Sequence, residues 1–403
     1  MQEKKSILIF GAGKIGRSFI GQLFGLSGYE VVFSDIDLQL VEALNRERSY
    51  TVVIKGPREE RLTIPNVRAI HGTDEASVIE EITRASIMAV SVGKNALEKI
   101  IPTISKGLTK RFQHHEDRPV DIIIAENMRS ADEFMYERLK QHLPPDFPID
   151  DYVGLIETSI GKMVPIMTAE ELKKDPLSVF AEPYNELILD KKGFKNKIPN
   201  VKGLAPKENI KAWVDRKAFI HNLGHTTTAY YGYYKHPEAT YLYEVLQDET
   251  VLQFTKGVML QSAEVLLNIY PDDFTDNDLT EHIDDLLFRF QNRSLKDTLF
   301  RVGQDIPRKL GPDDRFMGAI RTAITSRTAY DHILKAMLYA CTFKAVDENG
   351  HRAAEDLFFE QYMEKGLDFT LQHLCGMDPV RDQQLFAQAK DYYFDLFPPA
   401  YDG

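Results

Sequence analysis

The chain has 403 residues, of which 49 are Lys or Arg and 61 are Asp or Glu, so its formal net charge is −12. This length predicts two domains, and the ordinary fractions of hydrophobic (43%) and charged (27%) residues argue against wholesale disorder. The acidic balance excludes nonspecific binding of nucleic acid, which requires a basic surface. Two cysteines, Cys341 and Cys375, are too few for a disulfide framework or a cysteine-rich zinc site.

The sequence contains no stretch that approaches the roughly 18 apolar residues of a membrane-spanning helix. Its first ten residues end in an apolar run that leads directly into a glycine turn, with no small-residue cleavage site. We therefore interpret them as a first strand rather than an export signal. Together with the low cysteine content, these features predict a cytoplasmic protein that binds neither membranes nor nucleic acid.

The first 130 residues alternate short apolar runs with helical patterns. The predicted strands are Ser6–Phe10, Glu30–Ser34, Ile87–Val92 and Val120–Ala125, and the predicted helices are Lys14–Ser27, Leu38–Arg46 and Ala96–Leu108. Continuous apolar strands separated by helices indicate a parallel sheet that is covered on both faces. Two polar segments, Lys55–Arg61 and His114–Arg118, are expected to be loops or hairpin tips.

Prolines interrupt residues 152–206, and helical patterns dominate after Glu208. The predicted helices of this part are Asn209–Tyr231, Tyr241–Ile269, Asp276–Phe290, Arg315–Tyr339, Glu355–His373 and Asp382–Leu396. The sequence therefore predicts an α/β domain with a doubly wound sheet over residues 1–200. A mainly α-helical C-terminal domain is expected over residues 201–403.

A glycine motif, residues 11–16, directly follows the first predicted strand. In it Gly11 permits a tight turn, Gly13 lets a pyrophosphate approach the backbone, and Gly16 allows the helix to pack on the strand. Asp35 ends the second strand, 19 residues after Gly16, where it would accept hydrogen bonds from ribose hydroxyls and repel a 2′-phosphate. Arg17 could contact a phosphate, but it is expected to face solvent.

This context predicts a Rossmann-type site that prefers NAD to NADP, since the motif lies between a strand and a helix and precedes a second strand and an acid. The predicted cofactor-binding residues are Gly11, Ala12, Gly13, Lys14, Ile15, Gly16, Asp35 and Gly93. A glycine-rich turn that binds no ligand is the alternative.

A second group of polar residues lies on the predicted helix Asn209–Tyr231. At about 100° per residue, Asn222 lies about 140° and His225 about 80° around the helix from Lys217, so the three share one sector. A lysine whose pKa is lowered can take the hydroxyl proton of an alcohol as hydride leaves for a nicotinamide. Asn222 and His225 can orient or polarise the oxygen. On the pattern alone, the polar side of a surface helix is the more common explanation.

The turn Phe10–Arg17 and the block Lys217-x4-Asn222-x2-His225, followed by Thr228-Ala229-Tyr230, resemble the polyol-specific long-chain dehydrogenases, the mannitol dehydrogenase family. The similarity extends over nearly the whole chain. Further matching segments are Asn45–Tyr50, Ile100–Lys110, Glu126–Met128, Pro199–Asn200 and Leu295–Leu310. The length, near 400 residues, favours the phosphate-polyol branch of the family.

The resemblance implies an NAD-dependent, zinc-independent oxidoreductase that interconverts D-mannitol 1-phosphate and D-fructose 6-phosphate. It implies that Lys217 is the general base, that Asn222 and His225 polarise the substrate, and that Asn127 is a further active-site residue. The chain departs from the family pattern at Gly161-Lys162, where the family has Asp-Arg, and at Ala125. A hexuronate reductase acting on tagaturonate or fructuronate, a free-polyol dehydrogenase and a noncatalytic NAD(H) sensor therefore remain alternatives.

Four basic residues lie close together in a stretch broken by Pro and Gly: Arg301, Arg308, Lys309 and Arg315. Arginine forks and a lysine point charge suit phosphate oxygens, so we predict a substrate-phosphate site here, to which Lys162 could contribute. A solvated basic loop explains the same residues equally well. The histidines are scattered without ligand spacing, so no metal site is predicted. The sequence makes no prediction of the oligomeric state.

Overall fold

The computed structural model describes residues 5–56, 58–165 and 167–398. The chain divides into two compact units, with the boundary after Val214. Among the described residues, no helix combines the length and the apolar character that crossing a membrane would require.

The first unit contains an eight-stranded and a three-stranded sheet. The strands are β1 (Ser6–Phe10), β2 (Glu30–Asp35), β3 (Ser49–Lys55), β4 (Glu59–Pro65), β5 (Val67–His71), β6 (Ile87–Val90), β7 (Val120–Ile124), β8 (Val153–Ser159), β9 (Ser178–Ala181), β10 (Leu187–Asp190) and β11 (Leu204–Lys207). The large sheet has the order β11-β10-β8-β7-β6-β1-β2-β5. Its strands from β8 to β5 pair in parallel, and β10 pairs antiparallel with β8.

Helices accompany the strands along the first unit. A π-helical segment, Gly16–Gly21, precedes α1 (Gln22–Leu26), α2 (Leu38–Glu47), α3 (Glu75–Arg84), α4 (Lys94–His114), α5 (Ala131–His142), α6 (Ile149–Tyr152), α7 (Ala169–Lys174) and α8 (Ile210–Arg216), which crosses the boundary. Alternate residues of β1 enter different hydrophobic clusters, Ile7 and Ile9 in one and Leu8 and Phe10 in the other. Because both clusters also contain helical residues, the predicted parallel sheet covered on both faces is confirmed.

The strand order of the large sheet reverses at β1, which lies between β2 and β6. Strands β1 and β6 remain hydrogen-bonded beyond the end of β6, since the Ser91 N–H donates to the Phe10 carbonyl at 2.9 Å. In open parallel sheets, ligands bind at the carboxyl ends of the strands where the order reverses. Gly11 follows β1, Asp35 ends β2 and Gly93 follows β6, so the fold places all three at this edge.

The small sheet has the order β4-β3-β9. The polar segment Lys55–Arg61, predicted to be a loop or hairpin tip, joins β3 and β4, which pair antiparallel with Lys55 opposite Glu59. Residue 57 lies outside the described residues. The other polar segment, His114–Arg118, follows the end of α4 as predicted.

The second unit is built from helices, as the sequence predicts. After a π-helical segment, Lys217–Asn222, they are α9 (Leu223–Lys235), α10 (Leu242–Val245), α11 (Glu249–Ile269), α12 (Asp276–Phe290), α13 (Leu299–Gly303), α14 (Ile306–Lys309), α15 (Arg315–Ser326), α16 (Asp331–Leu338), α17 (Ala354–Glu364), α18 (Leu367–His373) and α19 (Gln383–Leu396). Short 3₁₀ turns occupy Arg293–Leu295 and Tyr339–Thr342.

Three of the predicted helices are interrupted in the structure: Tyr241–Ile269, Arg315–Tyr339 and Glu355–His373. Asp248 caps the start of α11 by accepting a hydrogen bond from the Thr250 N–H at 2.8 Å. Arg327 has a φ of 56° and ends α15, and Gly366 has a φ of 101° and separates α17 from α18. The apolar spacing continues across all three breaks, so periodicity alone did not reveal them.

Candidate active site

In the glycine turn of the first unit, the surrounding backbone leaves no room for a side chain at Gly11 and Gly16, whereas the space beside Gly13 is open. Gly11 has a φ of 95°, and a Cβ at this position would lie 2.6 Å from the Ser91 carbonyl oxygen. A Cβ at Gly16 would lie 2.0 Å from the Gly11 carbonyl oxygen. A Cβ at Gly13 would meet no atom within 4 Å, and this residue is exposed. The open backbone at Gly13 fits the approach of a phosphate group to the start of the following helix.

Asp35 joins the end of β2 to the glycine turn. Its carboxylate accepts hydrogen bonds from the Ala12 N–H at 2.6 Å and from the Asp37 N–H at 2.9 Å. The side chain is only partly buried. The carboxylate is thus held in place while part of it stays accessible to a ribose hydroxyl.

Arg17 is buried, and the expectation that it faces solvent is wrong. Its Nε donates to the Ala12 carbonyl at 2.7 Å, and its Nη1 donates to the carbonyls of Pro176 and Leu177 at 3.2 and 3.3 Å. The guanidinium therefore ties the glycine turn to the segment before β9. A single basic residue inside an apolar helix start is the signal that could have indicated this buried role.

Glu126 fixes the loop that carries Gly93. Its carboxylate accepts hydrogen bonds from the Val92 N–H at 2.7 Å and the Gly93 N–H at 3.0 Å, at the start of α4. Burial raises the pKa of this carboxyl, and the two backbone hydrogen bonds oppose that shift. Sequence reasoning singled out the next residue, Asn127, which is exposed, and overlooked the acid beside it. Asn127 belongs to the first unit, whereas Lys217, Asn222 and His225 belong to the second.

The predicted α-helix around Lys217 is locally a π-helix, from Lys217 to Asn222. The Leu223 N–H donates to the Ala218 carbonyl, five residues back. In a π-helical turn, two residues five positions apart point more nearly in the same direction than they do in an α-helix. The angle of 140° predicted between Lys217 and Asn222 is therefore wrong, because it assumed α-helical geometry throughout. The wider turn brings the two side chains closer to a common side.

Lys217 lies in a positively charged environment that favours its neutral form. Burial, followed by the charges of Arg315 and Arg308, lowers the pKa of Lys217 from 10.5 to about 8, against the opposing effect of Asp314. The Arg315 guanidinium donates to the Thr226 hydroxyl at 2.9 Å, to the Asn222 carbonyl at 3.3 Å and to Asp314 at 2.8 Å. A lysine with this pKa can exchange a proton near neutral pH, as a general base must.

His225 is held by a carboxylate and an aromatic ring. Its Nε2 lies 3.1 Å from Oδ2 of Asp297, and its ring stacks on Phe290 with 4.6 Å between centroids and 20° between planes. Burial, followed by the charges of Arg301 and Arg315, lowers the pKa of His225 well below its usual range. The imidazole is therefore neutral at physiological pH. Asp297 was missed because it lies 72 residues away in the sequence.

The predicted phosphate cluster is largely neutralised by three aspartates. Arg301 pairs with Asp297, Arg308 pairs with Asp305 and Asp314, and Arg315 pairs with Asp314. Lys309 is buried and donates to the carbonyls of Val302 and Gln304. Arg308 and Arg301 are the two whose side chains reach solvent substantially, with 51% and 37% exposed.

Lys162 lies in the first unit and is 6% exposed. Its Nζ donates to the amide oxygens of Asn185 at 2.7 Å and Gln22 at 3.2 Å, and it lies 5.0 Å from the centroid of the Phe19 ring. These contacts account for a buried lysine without any ligand.

The described ranges contain no group of three or more His, Cys, Asp or Glu side chains that could hold a metal ion. Both cysteines are free thiols, Cys375 buried and Cys341 partly buried. The predicted absence of a metal stays a prediction.

Two family models match the chain. A model of the mannitol dehydrogenase Rossmann domain matches residues 5–203, and a model of the mannitol dehydrogenase C-terminal domain matches residues 209–372. Together they span most of the sequence, and strand β11 lies in the short gap between them. The predicted Rossmann-type domain and helical C-terminal domain are thus confirmed at the level of the family.

Solved structures share the fold over almost the full length. A ternary complex of Pseudomonas fluorescens mannitol 2-dehydrogenase with NAD and D-mannitol is similar at 15% identity and a TM-score of 0.77, covering 98% of this chain and 92% of that chain. A substrate-free D-sorbitol dehydrogenase is similar at 15% identity, the same coverage and a TM-score of 0.78. A 2-dehydropantoate 2-reductase from Geobacter metallireducens GS-15 covers 84% of this chain and 99% of its own, at 15% identity and a TM-score of 0.52.

Proposed function

The chain belongs to the mannitol dehydrogenase family, and from this premise we propose that it is a mannitol-1-phosphate 5-dehydrogenase, which interconverts D-mannitol 1-phosphate and D-fructose 6-phosphate with NAD. In this proposal, residues 1–200 bind NAD, and residues 201–403 bind the substrate and supply the base. The observation that carries the proposal is Lys217, whose pKa is lowered to about 8 beside Asn222 and His225.

The NAD site is proposed at the carboxyl ends of β1, β2 and β6. The backbone of Gly11, Ala12, Gly13, Lys14, Ile15 and Gly16 would hold the pyrophosphate, Asp35 the adenosine ribose, and Gly93 a neighbouring part of the cofactor. The space beside Gly13 and the accessible Asp35 carboxylate support this assignment. When bound, NAD supplies the hydride acceptor for the substrate carbon.

The residues of the chain manage the proton and the reacting oxygen. Neutral Lys217 takes the proton from the hydroxyl group during oxidation, and its ammonium returns a proton to the carbonyl oxygen during reduction. Asn222 and His225 are proposed to bind substrate near that oxygen, and an active-site role of Asn127 stays a prediction. Burial contributes most to the lowered pKa of Lys217 and the charge of Arg315 contributes next, and Arg315 is tied to the same turn through the Asn222 carbonyl.

The phosphate of the substrate is proposed to bind at Arg301 and Arg308, with Arg315 and Lys309 adding charge behind them. The substantial exposure of Arg308 and Arg301 supports this placement, since a ligand can reach both guanidinium groups. Lys162 is left out of the proposed site, because amide oxygens and the Phe19 ring already surround its ammonium.

A free-polyol dehydrogenase is the second candidate. It is favoured by the ion pairs of the cluster, since Asp297, Asp305 and Asp314 already neutralise much of its charge without a phosphate. A phosphate would have to compete with these carboxylates for the arginines, which lowers its net gain.

Parallel kinetics with four ketoses test the proposal. The reaction is monitored by the loss of NADH. We expect the highest kcat/KM with fructose 6-phosphate rather than with fructose, tagaturonate or fructuronate. Activity with fructose alone would establish the free-polyol reaction, and activity with the uronates alone a hexuronate reductase. Tight NADH binding without any turnover would identify a noncatalytic sensor.

A matched pair of variants tests the phosphate site. Arg308→Ala should raise KM for fructose 6-phosphate by about 10-fold or more and leave fructose kinetics nearly unchanged, because a charge-assisted hydrogen bond contributes about 1.5–3 kcal/mol. Arg381→Ala is the control, since Arg381 is an exposed arginine that also pairs with a nearby aspartate. Equal effects of the two variants on KM would show that Arg308 does not bind the substrate phosphate.

A further inference from the structure

Asp297 and Phe290 fix both the plane and one nitrogen of the His225 ring. Asp297 is nearly buried, with 4% of its side chain exposed, and its backbone carbonyl accepts a hydrogen bond from the Leu242 N–H at 2.9 Å. One carboxylate oxygen lies 3.1 Å from His225 Nε2, and the other pairs with Arg301. Since the ring also stacks on Phe290, rotation of the imidazole would break both contacts.

The hydrogen-bond chemistry of this pair determines where the imidazole proton lies. A carboxylate that pairs with an arginine only accepts hydrogen bonds, so His225 Nε2 must carry the proton and donate it. A neutral imidazole has a single N–H, which leaves Nδ1 with a lone pair. Burial and the surrounding cations, Arg301, Arg315, Lys309 and Arg289, lower the pKa of His225 and so keep it in this neutral form.

We propose that Asp297 is a positioning residue that holds His225 in the Nε2-protonated tautomer, so that Nδ1 accepts a hydrogen bond from a substrate hydroxyl next to the reacting carbon. This inference rests on the proposed function and differs from the role implied by the family resemblance, in which His225 polarises the reacting oxygen. Donation to that oxygen then falls to Lys217 and Asn222. The site would select ketoses with a hydroxyl on the adjacent carbon, because that hydroxyl supplies the donor for the Nδ1 lone pair.

The tautomer can be measured without any turnover. Long-range ¹H–¹⁵N NMR of the full-length protein, labelled with ¹⁵N-histidine, distinguishes a protonated from an unprotonated ring nitrogen. The His225 signals are assigned as those lost in His225→Gln. We expect a protonated Nε2 and an unprotonated Nδ1 in the wild type, and a changed tautomer distribution in Asp297→Ala. A protonated Nδ1, or a tautomer unaffected by Asp297→Ala, would overturn the proposal.

Deoxy substrates test the consequence for selectivity. Wild-type kcat/KM should fall about 10- to 100-fold with the one substrate, 1-deoxy- or 3-deoxyfructose 6-phosphate, that lacks the hydroxyl donating to Nδ1, because a hydrogen-bonding partner is left unsatisfied. The penalty should shrink to about twofold or less in His225→Ala and Asp297→Ala. A merely structural loss in these variants would reduce activity with all three ketoses equally and keep the ratio.

The control is Asp284→Ala, which removes an aspartate that pairs with Lys256 at 2.6 Å on the same unit. It should retain the full deoxy penalty. A penalty that is absent from the wild type, or unchanged in Asp297→Ala, overturns the inference while leaving the proposed function intact. If no ketose is turned over at all, the proposed function fails, and the NMR measurement then decides the role of Asp297 by itself.

Discussion

The lowered pKa of Lys217 predicts opposite pH profiles for the two reaction directions. At pH 7, a lysine with a pKa of 8 is neutral in about 10% of molecules, whereas one with a pKa of 10.5 is neutral in about 0.03%, a difference of roughly 300-fold. Polyol oxidation needs the neutral amine, so its kcat/KM should rise with pH and level off above about 8. Ketose reduction needs the ammonium, so its kcat/KM should fall above the same pH.

Replacing two charged neighbours of Lys217, one cationic and one anionic, should shift these pH profiles in opposite directions. Arg315→Gln removes the cation that contributes most to the lowered pKa after burial, so the oxidation profile should shift to higher pH. Asp314→Asn removes the anion that raises the pKa, so the profile should shift to lower pH. Lys217→Ala should lose about 10²- to 10⁴-fold in kcat while NADH still binds.

The same shift also predicts a pH-dependent stability. Because the folded-state pKa of Lys217 is depressed, the unfolded chain binds more protons between pH 8 and 10.5, and the free energy of unfolding should rise with pH across this window. The gain is at most about 3 kcal/mol, since each pKa unit corresponds to about 1.4 kcal/mol. Urea unfolding at several pH values measures this gain as the difference between the wild type and Lys217→Met, which lacks the titrating group.

Stopped-flow kinetics from pH 6 to 10 with fructose 6-phosphate and mannitol 1-phosphate check the kinetic profiles. Lys211→Ala is the matched control, because Lys211 is an exposed lysine six residues earlier in the chain. Profiles that stay the same in both Arg315→Gln and Asp314→Asn would refute the reasoning. So would activity retained in Lys217→Ala.

Three further predictions concern the cofactor site. Gly13→Ala should fold normally but bind NADH at least about 10-fold more weakly, whereas Gly16→Ala should lower Tm without any ligand, since its Cβ would lie 2.0 Å from a carbonyl oxygen. NADH fluorescence titration and thermal unfolding separate the two, and equal behaviour would contradict the assignment. Glu126→Gln should weaken NADH binding about 10-fold, because the new side-chain NH₂ group is a donor facing the backbone N–H donors of Val92 and Gly93. An unchanged affinity would show that this loop does not contribute to the cofactor site. Asp35→Ser should raise kcat/KM for NADP relative to NAD, and an unchanged ratio would exclude Asp35 from cofactor selection.

The central strands of the N-terminal sheet, β1, β2, β6 and β7, could be predicted from local pattern, whereas the other seven strands of the first unit were not predicted. Strand β1 is a run of five buried residues, four of them apolar, that leads into the glycine turn, and helix and strand alternate at short range after it. A parallel sheet follows because each strand lacks a polar face. The π-helical segment Lys217–Asn222 could not be predicted, since its apolar spacing continues that of the flanking α-helices.

The basic cluster shows which electrostatic information a sequence contains. Asp297 precedes Arg301 by four residues and Asp305 precedes Arg308 by three. These are the spacings of ion pairs along a helix, so both pairs could be recognised from the sequence alone. The bond between Asp297 and His225 spans 72 residues and depends on how the helices of the second unit pack. Sequence spacing could therefore identify the cations and two of their aspartate partners, whereas only the fold revealed the contact of Asp297 with His225.

The arginines near Lys217 couple the proposed phosphate site to the base. Arg308 and Arg315 lower the pKa of Lys217, so an anionic phosphate bound to them would offset their charge and raise that pKa. Because kcat/KM reports the free enzyme and kcat the substrate complex, the oxidation profile in kcat should lie at higher pH than the profile in kcat/KM. Mannitol, which has no phosphate, should show no such separation. Coincident profiles with mannitol 1-phosphate would place its phosphate away from Arg308 and Arg315 and leave Arg301, whose side chain is 37% exposed, as the cation of the cluster to examine next.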